Sequence, residues 1–548
     1  MRRLWSAAAA AVLVLSAGAQ QKPVIPALGE TIEVSLVNVD VVVTDRDGNR
    51  VHGLGRDDFE VLENGKPQEL SHFAEYREEA GSVAVTAGAE SVDAPPEQRR
   101  TVVIFLERFR LQNFRVNPFI ESVKKFVRET VRPGDAASIV YFQGKAKVRI
   151  GPTDSIEALE RELDALAPEL IGPMIDDTAS TVFQVQQMMK FEEEGAAMAG
   201  SRGLKRAPTS SQSIAVQAAR SPALTARLEM NRRLAAINTI LQGLAGVEGK
   251  KLMLLAPRRL GEYVGAEYFY AAGVANNLMP AGERDALDNK DEVRNLIANA
   301  NAAGVTVYPV YPPGLDELPA DPSLPNISSP VLMNEMAMLT EIAEKTGGLT
   351  TYGTADIVKL LPRVADDMSD YYSLAYRATS KREDLARNIS VRTKNPKLVV
   401  RARKQFVEKS DDSRMRDRVM AALFGEWNQS PVKLAAKLGT PKQTSRKRHA
   451  APLEVKIPIS ALTLLPQGSK HQGAFSVYLM TAAKLGETSE VTRQTQTFEI
   501  PANDLQRAMG SHFTYAFDLE VKEGTTSVAV GVLDEISKTY GITRMDIP

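Results

Sequence analysis

The sequence predicts an α/β plus β protein, in which a six-stranded, mainly parallel sheet with helices on both faces is flanked by β-sandwich-like domains. Three observations carry this. The apolar runs VVIFL at 102–106 and LMLL at 252–255 alternate with segments whose apolar residues recur every three or four positions, as in buried strands joined by helices. Strand-like alternation flanks that block, at Val34, Leu36, Val39, Val41 and Val43 and again at Tyr372, Leu374 and Tyr376. Residues 450–548 carry short alternating runs separated by Gly and Pro, as in a sandwich.

At 548 residues the chain is too long for one core. Residues 1–19 read as a secretory signal peptide: Arg2 and Arg3 precede an apolar run, and Ala17-Gly18-Ala19 supplies the small-residue cleavage pattern. Cleavage after Ala19 would leave a periplasmic or extracellular protein. No later segment approaches ~18 consecutive apolar residues, so no membrane span is expected after signal removal. Residues 31–76 read as an N-terminal β-domain. In it, Asp45-Arg46-Asp47-Gly48-Asn49 forms a hairpin turn, since Asp-Gly and Asn tolerate positive φ. Residues 77–100, rich in Ala, Gly, Ser, Glu and Pro without period, read as a linker.

Residues 101–369 form the α/β block. After the strand at 102–106, a helix is expected to start at Asn117-Pro118 and to bury Phe119, Val123, Phe126, Val127 and Val131. A strand at 138–142 and an antiparallel edge at 147–150 follow, then a helix burying Ile156, Leu159, Leu163 and Leu166. Residues 168–224 break the alternation and read as an insertion, partly helical and partly disordered. A helix with Leu234, Ile237, Leu241 and Leu244 leads to the strand at 252–255. A helix with Val293, Leu296 and Ile297, a strand at 305–310, a helix ending at Gly347-Gly348, a short sixth strand at 349–352 and a last helix at Ile357–Met368 complete the block. Residues 370–406 return to period two and are expected to complete the first β-domain around this insert. Residues 407–449 read as a Lys/Arg-rich linker with a short helix at 415–424, ahead of the sandwich-like 450–548.

Several segments, taken in order, resemble a known family. They are Val41-Val42-Val43-Thr44-Asp45 with Gly48, Asp58-Phe59-Glu60-Val61, Glu63-Asn64-Gly65, Arg132-Pro133-Gly134-Asp135, the run ANAAGVTVYP at 300–309, Thr346-Gly347-Gly348, and Tyr371-Tyr372-Ser373-Leu374-Ala375-Tyr376. Together they resemble the von Willebrand factor A-related family of secreted bacterial proteins, best represented in acidobacteria. The resemblance covers residues from about 31 to 406. It implies a Rossmann-like A domain and an extracytoplasmic compartment more than a chemistry.

In metal-bearing A domains, the loop after the first strand, a threonine in the second loop and an aspartate after the fourth strand hold Mg²⁺. Here Leu106 runs into Glu107-Arg108-Phe109-Arg110-Leu111 where Asp-x-Ser-x-Ser belongs, and Ala256 runs into Pro257-Arg258-Arg259 where Asp-Gly belongs. Hard cations need oxygen ligands, and four guanidinium groups beside one carboxylate oppose them. The resemblance therefore implies a degenerate metal-ion-dependent adhesion site, with Thr178 of Asp176-Asp177-Thr178 as the one surviving ligand position.

Other chemistry is sparse. The chain has no cysteine, hence no disulfide, thiolate metal site or thiol nucleophile. The five histidines include no His-x-x-x-His pair, and neither a Gly-x-Ser-x-Gly elbow nor a Gly-rich phosphate loop opening a helix is present. The hairpin turn lacks the third acid and terminal Glu of a calcium loop. A net charge of −1 gives no reason to expect nucleic acid. The reading is a secreted, non-enzymatic binding or scaffolding protein without cofactor. Glu107, Arg108, Arg110, Arg258 and Arg259 are the candidate binding residues at the carboxyl edge of the sheet, where ligands of open sheets bind, and they would grip a protein partner through an acidic side chain. The bland alternative has these arginines splayed into solvent or paired with Glu107 and Glu262. Two other functions stand beside it: an Mg²⁺- or Ca²⁺-dependent adhesin using Thr178 and substitute acids, and an accessory subunit of an extracytoplasmic hydrolase.

Overall fold

The computed structural model describes residues 36–79, 82–87, 100–108, 113–171, 177–201, 213–247, 249–274, 279, 281–311, 328–350, 357–377, 383–424, 430–445, 448–483 and 488–547. The expected signal peptide lies outside them. The described chain divides into two compact units, Val34–Lys409 and Ser410–Pro548.

The first unit opens with strands β1 (Leu36–Thr44), β2 (Phe59–Glu63), β3 (Lys66–Gln68), β4 (Leu70–Glu79) and β5 (Ser82–Ala87). The linker expected at 77–100 is thus partly strand: β5 pairs antiparallel with β4 from Ala74–Ala87 to Glu79–Ser82. Its small residues hid it, since Ser, Ala and Thr carry little apolar signal.

The α/β part follows: β6 (Thr101–Glu107), α1 (Asn113–Thr130), β7 (Ala136–Phe142), β8 (Ala146–Thr153), α2 (Ile156–Leu170), α3 (Asp177–Ser201), α4 (Ile214–Ala245), β9 (Lys251–Ala256), α5 (Ala266–Ala271), α6 (Ala281–Leu287), α7 (Lys290–Ala303), β10 (Val305–Pro309), α8 (Ser328–Thr346) and α9 (Ile357–Ser369). The sheet order is β8-β7-β6-β9-β10, with β8 antiparallel at one edge and the other four parallel. β6 and β9, the first and fourth strands of the sheet, are neighbours, so the order reverses between them, which gives an A-like fold with its crevice at that point. Every residue of β6 and of β9 is buried. Val102, Ile104 and Leu106 pack under α1, α2 and α9, while the equally buried Val103, Phe105, Met253 and Leu255 point to the opposite face, where α4, α7 and α8 lie together.

Two expectations need correction here. Helix α1 starts at Asn113, so Pro118 is internal. Its missing N–H costs one backbone bond near the helix start, which the buried Val116, Phe119 and Val123 outweigh. Among the described residues the sheet has five strands, not six: Leu349 and Thr350 are not strand, and 351–356 lie outside the description. The open edge of β10 is engaged otherwise, since Val307 N–H donates to the Thr346 hydroxyl at 3.2 Å and Thr350 Oγ1 donates to the Pro309 carbonyl at 2.9 Å. The described residues of the segment at 168–224 are mostly helix, with Pro168 inside α2 and α4 running 32 residues across its far boundary, while 172–176 and 202–212 lie outside the description. Ala215, Ala219 and Ala223 let α4 approach Val182, Val185 and Met189 of α3, and the Ser213 hydroxyl caps it by accepting from Val216 N–H at 3.2 Å.

Strands β11 (Tyr371–Arg377), β12 (Ala386–Thr393), β13 (Val399–Ala402) and β14 (Gln405–Val407) return to the first β-layer. Their sheets run β13-β1-β11-β4-β5 and β14-β12-β2-β3, so chain from both sides of the α/β part shares one core of Val37, Val39, Val61, Leu374, Tyr376 and Ile389.

The second unit contains α10 (Asp411–Phe424), β15 (Ala435–Leu438), β16 (Lys442–Ser445), β17 (Arg448–Pro458), β18 (Leu465–Gln467), β19 (Lys470–Ala483), β20 (Thr492–Pro501), α11 (Leu505–Met509), β21 (His512–Lys522), β22 (Thr525–Asp534) and β23 (Tyr540–Asp546). Most of the linker expected at 407–449 therefore belongs to this fold. One antiparallel sheet gathers β15, β16 and β21 on β17; the other runs β18-β19-β22-β23 with β20 on β19. Leu453, Val455 and Ile457 of the first meet Phe475, Val477, Val528 and Val530 of the second in a sandwich core. Helix α10 covers the outer face of the second sheet, with Met415 and Val419 on Tyr478, Met480 and Ala529.

Within the first unit, the β-layer and the α/β part meet at Thr346-Gly347-Gly348. Gly347 has φ +85, and a Cβ there would lie 2.9 Å from the Ala402–Arg403 backbone; one on Gly348 would lie 2.1 Å from the Val307 carbonyl oxygen. Only glycine permits that approach. Gly348→Ala should therefore destabilise the first unit by about 1–3 kcal/mol, the usual cost of overpacking, as read from its urea midpoint. An unchanged midpoint would contradict the close contact.

Candidate functional site

Strand β6 delivers Glu107 to the crevice at the strand carboxyl ends, and β9 delivers Pro257-Arg258-Arg259 beside it. Glu107 is 5% exposed, as is Arg233 of α4. The two form a two-bond pair: Arg233 Nε donates to Glu107 Oε2 and Nη2 to Oε1, both at 2.6 Å. The Arg258 backbone N–H donates to Glu107 Oε2 at 2.7 Å, and Arg233 Nη1 donates to the Arg259 carbonyl at 3.3 Å. Arg259 takes a left-handed backbone (φ +50), which turns its carbonyl in the loop that wraps the guanidinium. Both oxygens of the Glu107 carboxylate are thus held by a cation.

The arginine side chains divide. Arg259 Nη1 pairs with Glu267 Oε1 at 2.9 Å, while Glu267 Oε2 accepts from Gly265 N–H at 2.9 Å. Arg258 and Arg259 are half-buried and, with Arg233, line a cleft of about 420 Å³ walled by Thr178, Thr181, Ser221 and Thr225. Glu229 and Glu267 also face it. Arg108 is half-buried and not among the cleft's lining residues; its backbone N–H donates to the Phe142 carbonyl at 3.1 Å. Arg110 lies outside the described residues. Glu262 pairs with Lys290. The site therefore brings together Glu107, Arg258, Arg259 and Thr178, and it is less cationic than four unopposed arginines would be. Behind it, burial pushes the Glu335 carboxyl up to about 7, against the pull of Arg259.

Sequence reasoning missed Arg233, Glu267 and Glu335. One signal existed: Arg233 stands three after Met230 and four before Ile237, in register with the buried stripe Met230, Ile237, Leu241 and Leu244. A charge on an apolar stripe must find a partner.

Among the described residues no group of three or more His, Cys, Asp and Glu could hold a metal ion, and no helix is long and apolar enough to cross a membrane. No protein-family model and no curated protein matches the chain. Among solved structures, an aerotolerance-related membrane protein from Bacteroides fragilis aligns at 11% identity, covering 49% of this chain and 98% of that one, with TM-score 0.22. BatB from Bacteroides thetaiotaomicron aligns at 9% identity over 49% and 97%, with TM-score 0.21. A von Willebrand factor type A protein from Catenulispora acidiphila aligns at 10% identity over 90% and 73%, with TM-score 0.21. Likenesses this loose carry no weight, and the A-like fold rests on strand order and direction.

Two consequences are measurable. Arg233→Ala leaves Glu107 buried without its counter-charge and should cost on the order of 3–5 kcal/mol. The double change Glu107→Gln with Arg233→Met should recover most of that loss in a denaturant titration, and equal losses for both variants would contradict the pairing. Glu335 binds its proton more tightly folded than unfolded. Its contribution to stability is complete below its ordinary 4.5 and is lost as pH rises through about 7. The unfolding midpoint of wild type should fall relative to that of Glu335→Gln between pH 5 and 8; parallel profiles would remove this assignment.

Proposed function

We propose that the chain is a secreted, non-enzymatic binding or scaffolding protein whose A-like part recognises an acidic side chain of a protein partner without a metal ion. The observation that carries this reading is the two-bond grip of Arg233 on Glu107. A divalent cation would need that carboxylate, and freeing it would leave a buried guanidinium uncompensated. The position of the ion is thus taken by a cation built into the chain.

Arg258 and Arg259 on the cleft wall supply the recognition. A guanidinium has five N–H donors, so one that already holds a carboxylate or carbonyl still has donors to share with an incoming carboxylate. The hydroxyls of Thr178, Ser221 and Thr225 add neutral donors around the same space. The opposing Glu229 and Glu267 disfavour diffuse attraction of anions, which makes recognition depend on contact geometry more than on field. Arg108 has no place in this contact. The absence of catalytic motifs and the apolar leader at residues 1–19 support the non-enzymatic and secreted parts of the reading.

An acidic peptide titrated into the full chain at low salt should bind saturably and weaken as salt rises. Replacing Arg258 and Arg259 together with Ala should cost about 1.5–3 kcal/mol per shielded charge-assisted bond, with EDTA without effect. Binding that EDTA abolishes and the double variant leaves intact would overturn the proposal in favour of a metal-dependent adhesin.

A further inference from the structure

A second polar site lies where the β-layer meets α9, and it shares no lining residue with the cleft. The turn at Asp45–Asn49 folds over Arg363 of α9 so closely that a Cβ on Gly48, whose φ is +87, would sit 3.0 Å from Arg363 Nη2. Arg50, just past the turn, and Arg401 of β13 complete a notch of about 270 Å³ that Thr44, Asn49 and Asp366 also line. Three guanidinium groups from three separate segments of chain thus converge on one small space.

Their donors exceed the acceptors beside them. Asp367 is 1% exposed and is the main acceptor: Arg50 Nη2 donates to its Oδ1, Arg401 Nη2 to the same oxygen at 2.8 Å, and Arg401 Nη1 to Oδ2 at 2.8 Å, where the Tyr308 hydroxyl also donates at 2.8 Å. Its carboxylate is saturated. Arg50 Nη1 is buried with no hydrogen-bond partner among the described residues, and no hydrogen bond or ion pair of the Arg363 guanidinium is found among them. Asp45, the nearest acid of the turn, accepts from Asn49 N–H at 2.8 Å and from Asn49 Nδ2 at 2.9 Å. A buried N–H without an acceptor is costly.

We propose that this notch binds a tetrahedral oxyanion, a phosphate or sulfate group, through Arg363 and the Nη1 edge of Arg50, with Arg401 closing the third side. Forked donors arriving from three directions suit an oxyanion with oxygens on several faces better than a planar carboxylate. Asp366 at the rim and Asp367 behind leave three cations against two anions, so the charge balance favours a bound anion.

The test is calorimetric titration of the full chain at low ionic strength with inorganic phosphate, inorganic sulfate, a phosphate monoester, a sulfate monoester and, as the planar control, acetate. Phosphate or sulfate should bind with one-to-one saturation, and acetate at least about tenfold more weakly. Stronger binding of either monoester than of its free ion would assign the natural source to an esterified group, and equal binding to the free ion. Arg363→Ala, an exposed position, should weaken binding about tenfold or more, with Arg363→Lys intermediate. The Arg258→Ala and Arg259→Ala double variant should leave it unchanged. The proposal is overturned by the absence of saturable phosphate or sulfate binding, by acetate binding as tightly, by Arg363→Ala binding within twofold of wild type, or by loss of binding in the double variant, which would move the anion to the other cleft.

Discussion

The buried carboxylate of Glu107 constrains everything at the carboxyl edge of the sheet. β6 is covered on both faces, so its last residue arrives already removed from water. A charge in that position must be paired or neutralised. The chain pairs it with Arg233, reached from the far side of the crevice by a helix of 32 residues, and adds the Arg258 N–H. That pairing ties α4 to β6 and to the loop after β9, and so shapes the cleft wall.

A comparable arrangement joins the two layers of the first unit. Asp367 collects Arg50 from beyond the first hairpin, Arg401 from β13 and Tyr308 from β10, and its carbonyl accepts from Lys250 Nζ. Buried carboxylates with two or three donors thus appear at both places where chain segments distant in sequence must be held in register. Their specificity is geometric. An apolar contact would tolerate sliding, whereas a forked guanidinium on a carboxylate does not.

How much was legible follows from which signals are local. The runs at 102–106 and 252–255 announce doubly covered strands because burial on both faces demands unbroken apolar residues, and the strands form there. The alternation through Val39, Val41, Tyr372, Leu374 and Tyr376 likewise marks strands that pair with one another. Small residues defeated the same reasoning. The first half of α4 packs through alanines, and β5 is built of Ser, Val, Ala and Thr, so neither shows a strong period. A short sixth strand was expected at 349–352, but Leu349 and Thr350 are not strand, and Thr346 engages the edge of β10.

At the candidate site, the positions of Glu107, Arg258 and Arg259 were legible because they stand at or just past strand ends, and Thr178 was offered by the resemblance, which places a threonine in the second loop. What each one contacts was not, since Arg233 is 126 residues from Glu107 in sequence. The central claim is that Arg233 holds the place of the ion, and counting bound Mn²⁺ by electron paramagnetic resonance tests it most directly. Titrated with Mn²⁺ near neutral pH, the wild-type chain should leave the free-ion signal undiminished beyond weak surface association. Stoichiometric capture of one ion per chain, lost on Glu107→Gln, would contradict the account.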